Sequence, residues 1–207
     1  MKQFDSIIFD LDGTLWSTID SCVKTLSQIK EKYPDITKEI SKEEVMSCMG
    51  LPFDDIVNIY YGYLPKNKAI MYAKEAFQAN IDNLLKNGGT LYKNTKDTIE
   101  YLSKKYKLYI VSNCIDGYIE SFLKTSNLEK YFLDYESNGR TNLSKGENIK
   151  LIINRNNLKN AIYVGDTISD KDGADYANIP FAYASYGFGK VDKYDYLLND
   201  ISDLKEI

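Results

Sequence analysis

The chain has 207 residues, with 26 lysines and arginines against 30 acids, no histidine and a formal net charge of −4. That length holds one sizeable core, or one core with an accessory domain, and the acid excess excludes a general nucleic-acid binder, which needs a basic face. Without histidine, serine–histidine triads, histidine bases and histidine-ligated metals are excluded, so carboxylates, lysine, hydroxyls, thiols or a hard cation must carry the chemistry.

Met1-Lys2-Gln3-Phe4-Asp5 runs straight into a strand-like segment and does not read as a signal peptide. No apolar run has the length of a membrane span. Ser6–Phe9 is a short apolar run ending in Asp10, the pattern of a buried parallel strand. Residues 17–89 then form an insertion too long for one crossover. Ser41-Lys42-Glu43-Glu44 predicts a capping box. Ala69, Tyr72, Ala73, Ala76, Phe77, Ile81 and Leu84 recur at helical spacing up to Gly88-Gly89. The insertion therefore reads as several helices forming a cap.

Downstream, a helix over residues 95–105 precedes a strand at 108–111, which ends in Ser112-Asn113. A helix over 147–157 precedes a strand at 161–164, which ends in Gly165-Asp166. Further strands are predicted at 180–184 and 194–198. Strands alternating with helices give an α/β fold with a parallel sheet. Ligands of such sheets bind beyond the carboxyl ends of the strands, where Asp10, Ser112 and Asp166 all fall. Cys22, Cys48 and Cys114 are odd in number and have no paired spacing. They read as free thiols in a reducing cytoplasm.

Phe9-Asp10-Leu11-Asp12-Gly13-Thr14-Leu15 places two carboxylates two apart at a strand end, before a sharp turn. A carboxylate is already ionised at neutral pH, so it attacks phosphorus without a histidine base. A second acid can give a proton to the leaving alkoxide and later take one from water. The segment resembles the first signature of the haloacid dehalogenase-like (HAD) superfamily. The resemblance implies a Rossmann-like core from residues 1–16 and 90–207, with the helical cap of residues 17–89 inserted after the first strand. It makes Asp10 the nucleophile and Asp12 the general acid/base, with Asp10 and the backbone carbonyl of Asp12 on Mg²⁺.

The remaining motifs follow in the family's order. The resemblance gives phosphate oxygens to the Ser112 hydroxyl and the Asn113 backbone N–H. Ser144-Lys145-Gly146-Glu147 has capping-box spacing, which puts Lys145 in a first helical turn, where a cation is disfavoured by about 0.3–1 kcal/mol unless an anion adjoins it. In the family pattern this lysine steadies the nucleophile and the transferring phosphoryl group. Val164-Gly165-Asp166-Thr167-Ile168-Ser169-Asp170 carries two acids four apart, and carboxylates suit a small hard cation. The resemblance makes Asp166 a direct Mg²⁺ ligand and Asp170 a second acid near the metal. Gly173, Ala174 and Ala177 are expected to keep the next helix close to the sheet. The family often has Ala-Gly where this chain has Ala177-Asn178, and asparagine accepts the same left-handed backbone.

The implied activity is that of a phosphatase of the phosphoglycolate phosphatase-like branch, acting on a small phosphorylated metabolite, with no nucleic-acid, membrane or protein partner. Trp16 and the 49–53 loop, including Gly50, are candidate substrate contacts. Tyr186-Gly187-Phe188-Gly189 reads only as a loop beyond a strand. A sugar-phosphate mutase resembling β-phosphoglucomutase is the enzymatic rival. Those enzymes grip a distal phosphate with a cap arginine, whereas Arg140 and Arg155 both lie outside the cap, leaving a cap lysine such as Lys24 to substitute. A non-catalytic binding scaffold is the third reading, against which all the motif acids are present.

Overall fold

The computed structural model describes residues 4–207. The expectation for the leading Met1-Lys2-Gln3 lies outside the described residues. In chain order the elements are β1 (Ser6–Phe9), β2 (Trp16–Ser17), α1 (Ile19–Lys32), α2 (Lys42–Ser47), α3 (Phe53–Tyr61), α4 (Lys66–Asn87), β3 (Thr90–Leu91), α5 (Thr95–Ser103) and β4 (Lys107–Ser112). There follow α6 (Tyr118–Ser126), β5 (Phe132–Ser137), α7 (Asn138–Thr141), α8 (Lys145–Arg155), β6 (Ala161–Gly165), α9 (Ile168–Ala177), β7 (Phe181–Ala184) and β8 (Tyr196–Leu198).

Six strands form one parallel sheet in the order β5-β4-β1-β6-β7-β8. β1 is central and wholly buried, as its unbroken apolar run requires. Its register matters for the site. Phe9 lies opposite Ile110 on one side and Val164 on the other. The three chains therefore leave the sheet nearly level, delivering Asp10, Ser112 and Asp166 to the same edge. Chain order reverses around β1, which makes this edge a topological switch point.

Helices α1–α4 sit over that edge. They have their own apolar cluster, which includes Ile29, Val45, Tyr61 and Tyr72, whereas Ile81 and Leu84 near the end of α4 join the main core. Ser41 and Glu44 form the expected capping box, and α4 ends at Gly88 with φ +72°. β2 and β3, an antiparallel pair joining the two connections at the base of the cap, were not anticipated. β5 and α6 were also missed. β5 mixes acids with apolar residues because Arg155 answers Asp134 and Glu136 across the sheet edge, so neither a continuous apolar run nor strict alternation marks it.

Candidate active site

Lys145 opens α8, whose start is fixed by a capping box: the Ser144 hydroxyl accepts from the Glu147 N–H, and Glu147 accepts from the Ser144 N–H. This start aims the ammonium inward, where Nζ lies 3.1 Å from Asp10 Oδ1 and 2.5 Å from Asp170 Oδ1. All three side chains are buried. Burial alone would depress the Lys145 pKa, but the charges of Asp10 and Asp170 outweigh it and hold the amine protonated. Replacing Ser144 with alanine is expected to cost about 1 kcal/mol, a drop of roughly 2–4 °C in melting temperature for a chain of this length. Thermal unfolding followed by circular dichroism checks it.

Asp10, Asp166 and Asp170 each bring a carboxylate oxygen within 4.8 Å of the other two. Asp166 is held on several sides. Thr14 Oγ1 donates to Oδ1 at 3.3 Å, and the Phe188 N–H donates to Oδ2 at 2.7 Å. Gly13 (φ +83°) and Gly187 are pressed so closely on this carboxylate that a Cβ on either would overlap it. Burial, followed by the charges of Asp170 and Asp10, pushes the Asp166 pKa well up. One ammonium against three buried carboxylates leaves the cluster short of positive charge. A small divalent cation with oxygen ligands fits both the donor set and the deficit.

Asp12 projects the other way, toward the cap. Its Oδ1 accepts from Thr18 Oγ1 and from the Tyr118 hydroxyl, both at 3.0 Å, and those two hydroxyls are 2.7 Å apart. Burial, then the charge of Asp10, raises the Asp12 pKa to about 7, against these two hydrogen bonds. A group poised there can both give and take a proton near neutrality. Tyr118 was missed from sequence because it opens α6, and neither the helix nor its first residue carries a motif.

Ser112 ends β4 beside Asp10. The Asn113 side chain donates to the Gly50 carbonyl of the cap at 2.8 Å and to Ser169 Oγ at 3.3 Å, so it ties cap to core. Gly50, at φ +79°, faces Thr167. Trp16, expected to contact substrate, is instead 1% exposed and packs edge-on against Tyr118 and Phe122 as part of the core. The 186–189 loop is more than a connection, since it supplies N–H groups to Asp166 and the Tyr186 hydroxyl to the Thr14 carbonyl. Gly173 faces Lys145 and Ile149 on α8 rather than the sheet, while Asn178 takes φ +57° as expected.

Asp10 and Asp12 form the floor of a chamber roofed by the cap, with Ser112, Asn113, Met49 and Gly50 at its side. Lys24 is exposed and lies outside this lining. Arg155 pairs with Asp134 and Glu136, and Arg140 sits near Glu136 and Asp116. Among the described residues no helix is long and apolar enough to cross a membrane.

Known proteins resemble the chain throughout. The haloacid dehalogenase-like hydrolase family profile matches residues 7–184. Pyrophosphatase PpaX of Listeria welshimeri is 25% identical over 217 residues, covering 99% of this chain and 96% of that one. Pyrophosphatase PpaX of Anoxybacillus flavithermus is 30% identical over 134 residues, covering 63% of this chain and 58% of that one. A crystal structure described as a predicted phosphoglycolate phosphatase from Haemophilus somnus superposes with a TM-score of 0.87 at 22% identity, covering 100% of this chain and 98% of that one.

Proposed function

The chain belongs to the haloacid dehalogenase-like hydrolase family, in its phosphoglycolate phosphatase-like branch, and is a phosphatase; we propose that it is a Mg²⁺-dependent phosphomonoester hydrolase that works through an aspartyl-phosphate on Asp10. The observation that carries this reading is the convergence of Asp10, Asp166 and Asp170 on one small volume beside Lys145. The substrate is a small phosphorylated metabolite, enclosed by residues 17–89 acting as the cap.

In this mechanism the Asp10 carboxylate attacks phosphorus while Asp12 donates its proton to the departing alkoxide. Asp12, now ionised, takes a proton from the water that attacks the acyl phosphate, which frees Asp10 and inorganic phosphate. Ser112 and the Asn113 N–H orient the phosphoryl oxygens, and Lys145 offsets their charge. Asp10, Asp166 and the Asp12 carbonyl would hold Mg²⁺, which supplies charge neutralisation to the transferring phosphoryl group. Both Asp170 oxygens already accept hydrogen bonds, from Lys145 and Tyr163 on one and from the Asp166 and Thr167 N–H groups on the other, so it sets the shape of the cluster that would hold the ion. The mutase reading is the weaker one, because neither arginine lies in the cap and Lys24 is exposed outside the chamber lining. Phosphate release from p-nitrophenyl phosphate that needs Mg²⁺ and stops on chelation is the expected result. No release under any metal condition would reject the proposal.

Tyr118 acts here as a positioning residue for Asp12. Its hydroxyl lowers the Asp12 pKa, so Tyr118→Phe moves that value upward and leaves less Asp12 ionised to activate water. The rising limb of the kcat–pH profile is expected to shift up by roughly one unit, with about a fivefold loss at pH 7 and little change in KM. A profile that does not move would reduce Tyr118 to packing.

A further inference from the structure

The cap wall of the chamber is largely apolar. Half-buried Leu26, Met49, Leu51, Phe53, Ile56 and Phe77 form most of it, with Tyr60, Tyr61 and Asn80 among its polar members. All three cysteines, far apart in sequence, also line it. Burial, followed by the charge of Asp12, pushes the Cys22 thiol up to about 12 and raises that of Cys114 as well. These two thiols are therefore neutral and behave as small apolar groups. Asp10 and Asp12 are the charged groups lining the chamber among the described residues, with the Lys145 ammonium 3.1 Å behind Asp10.

We propose that the alcohol leaving from phosphorus is neutral and predominantly apolar, excluding phosphoglycolate, pyrophosphate and bisphosphates as preferred substrates. This rests on the phosphatase reading above and specifies its substrate class. The phosphoryl group finds Lys145 and the cation site in the floor. A second anion would instead lie in the chamber, where no cation meets it, the walls shed water and the nearest charges are negative. An apolar leaving group loses nothing there and buries its own surface against the cap.

The test is a ranking of kcat/KM for the whole protein with Mg²⁺. 2-Phenylethyl phosphate and 2-phosphoglycolate are both alkyl esters, so the comparison varies the charge, polarity and apolar area of the leaving group without changing the type of ester. Pyrophosphate and p-nitrophenyl phosphate complete the set. The expected result is a preference for 2-phenylethyl phosphate over 2-phosphoglycolate and pyrophosphate of about 100-fold or more. Met49→Lys adds a cation of similar length to the wall and is expected to narrow the gap by roughly tenfold, through better use of 2-phosphoglycolate. If wild type turns over p-nitrophenyl phosphate but favours 2-phosphoglycolate or pyrophosphate, the apolar-alcohol inference is overturned and the phosphatase reading stands. If no ester is hydrolysed, the phosphatase reading fails with it. The wild-type ranking decides the matter even where Met49→Lys does not fold.

Discussion

Asp10→Asn should reduce phosphate release by at least about 10³-fold while leaving the fold intact. The amide matches the carboxylate in shape but is not a nucleophile, so the covalent step has no attacking atom. Structural damage should be small. Lys145 keeps Asp170 at 2.5 Å as a partner, and a buried charge is removed from a crowded acid cluster. Binding should survive, since Ser112, Asn113 and Lys145 remain. Steady-state assay with a melting curve on the same sample reads both effects. Near wild-type turnover would mean that a different group attacks phosphorus.

The second large effect concerns stability, pH and metal. Burial, then the charge of Asp170, raises the Asp10 pKa to about 6, and Asp12 is raised to about 7, from an ordinary 3.8. For acids raised in the folded state, the contribution to stability is fully present below the unfolded value. It is lost as pH climbs through the folded values. The metal-free protein should therefore lose stability between about pH 4 and 7, as the cluster is forced to ionise. A divalent cation removes the conflict by binding the ionised acids, so its stabilisation should grow with pH. At a hundredfold excess over Kd the gain is about 2.7 kcal/mol, or roughly 5–10 °C for a chain of this size. Asp166→Asn should raise the metal-free melting temperature by about 2–4 °C and abolish the Mg²⁺ shift. Differential scanning calorimetry across pH, with and without Mg²⁺, reads both. An Asp166→Asn protein that still gains the full Mg²⁺ shift would place the ion elsewhere.

The parts of the fold legible in sequence were those whose signal is local. An apolar run followed by a polar motif marked β1, β4 and β6, because strands buried on both faces have no polar residues to confuse the pattern. Capping boxes at Ser41 and Ser144 marked two helix starts. β5 was hidden because its acids are neutralised by Arg155, which is remote in sequence. Tyr118 and the 186–189 loop were hidden for a related reason. Their contributions to the site are a hydroxyl aimed at Asp12 and backbone N–H groups aimed at Asp166. Backbone donors leave no mark on residue type, and one tyrosine among 18 does not stand out. Trp16 misled because its neighbours carry chemistry, while its own ring is directed into the core against Phe122.

Capturing the phosphoryl group on Asp10 examines the mechanism most directly. p-Nitrophenolate leaves without a proton, so Asp12→Asn should permit the first step and stall the second, which needs a base for water. Acid quenching of that variant after mixing with p-nitrophenyl phosphate and Mg²⁺, followed by peptide mass spectrometry, should find one phosphoryl group, on the peptide containing Asp10. Release of p-nitrophenol by this variant and by wild type, with Asp10 never modified, would contradict the account.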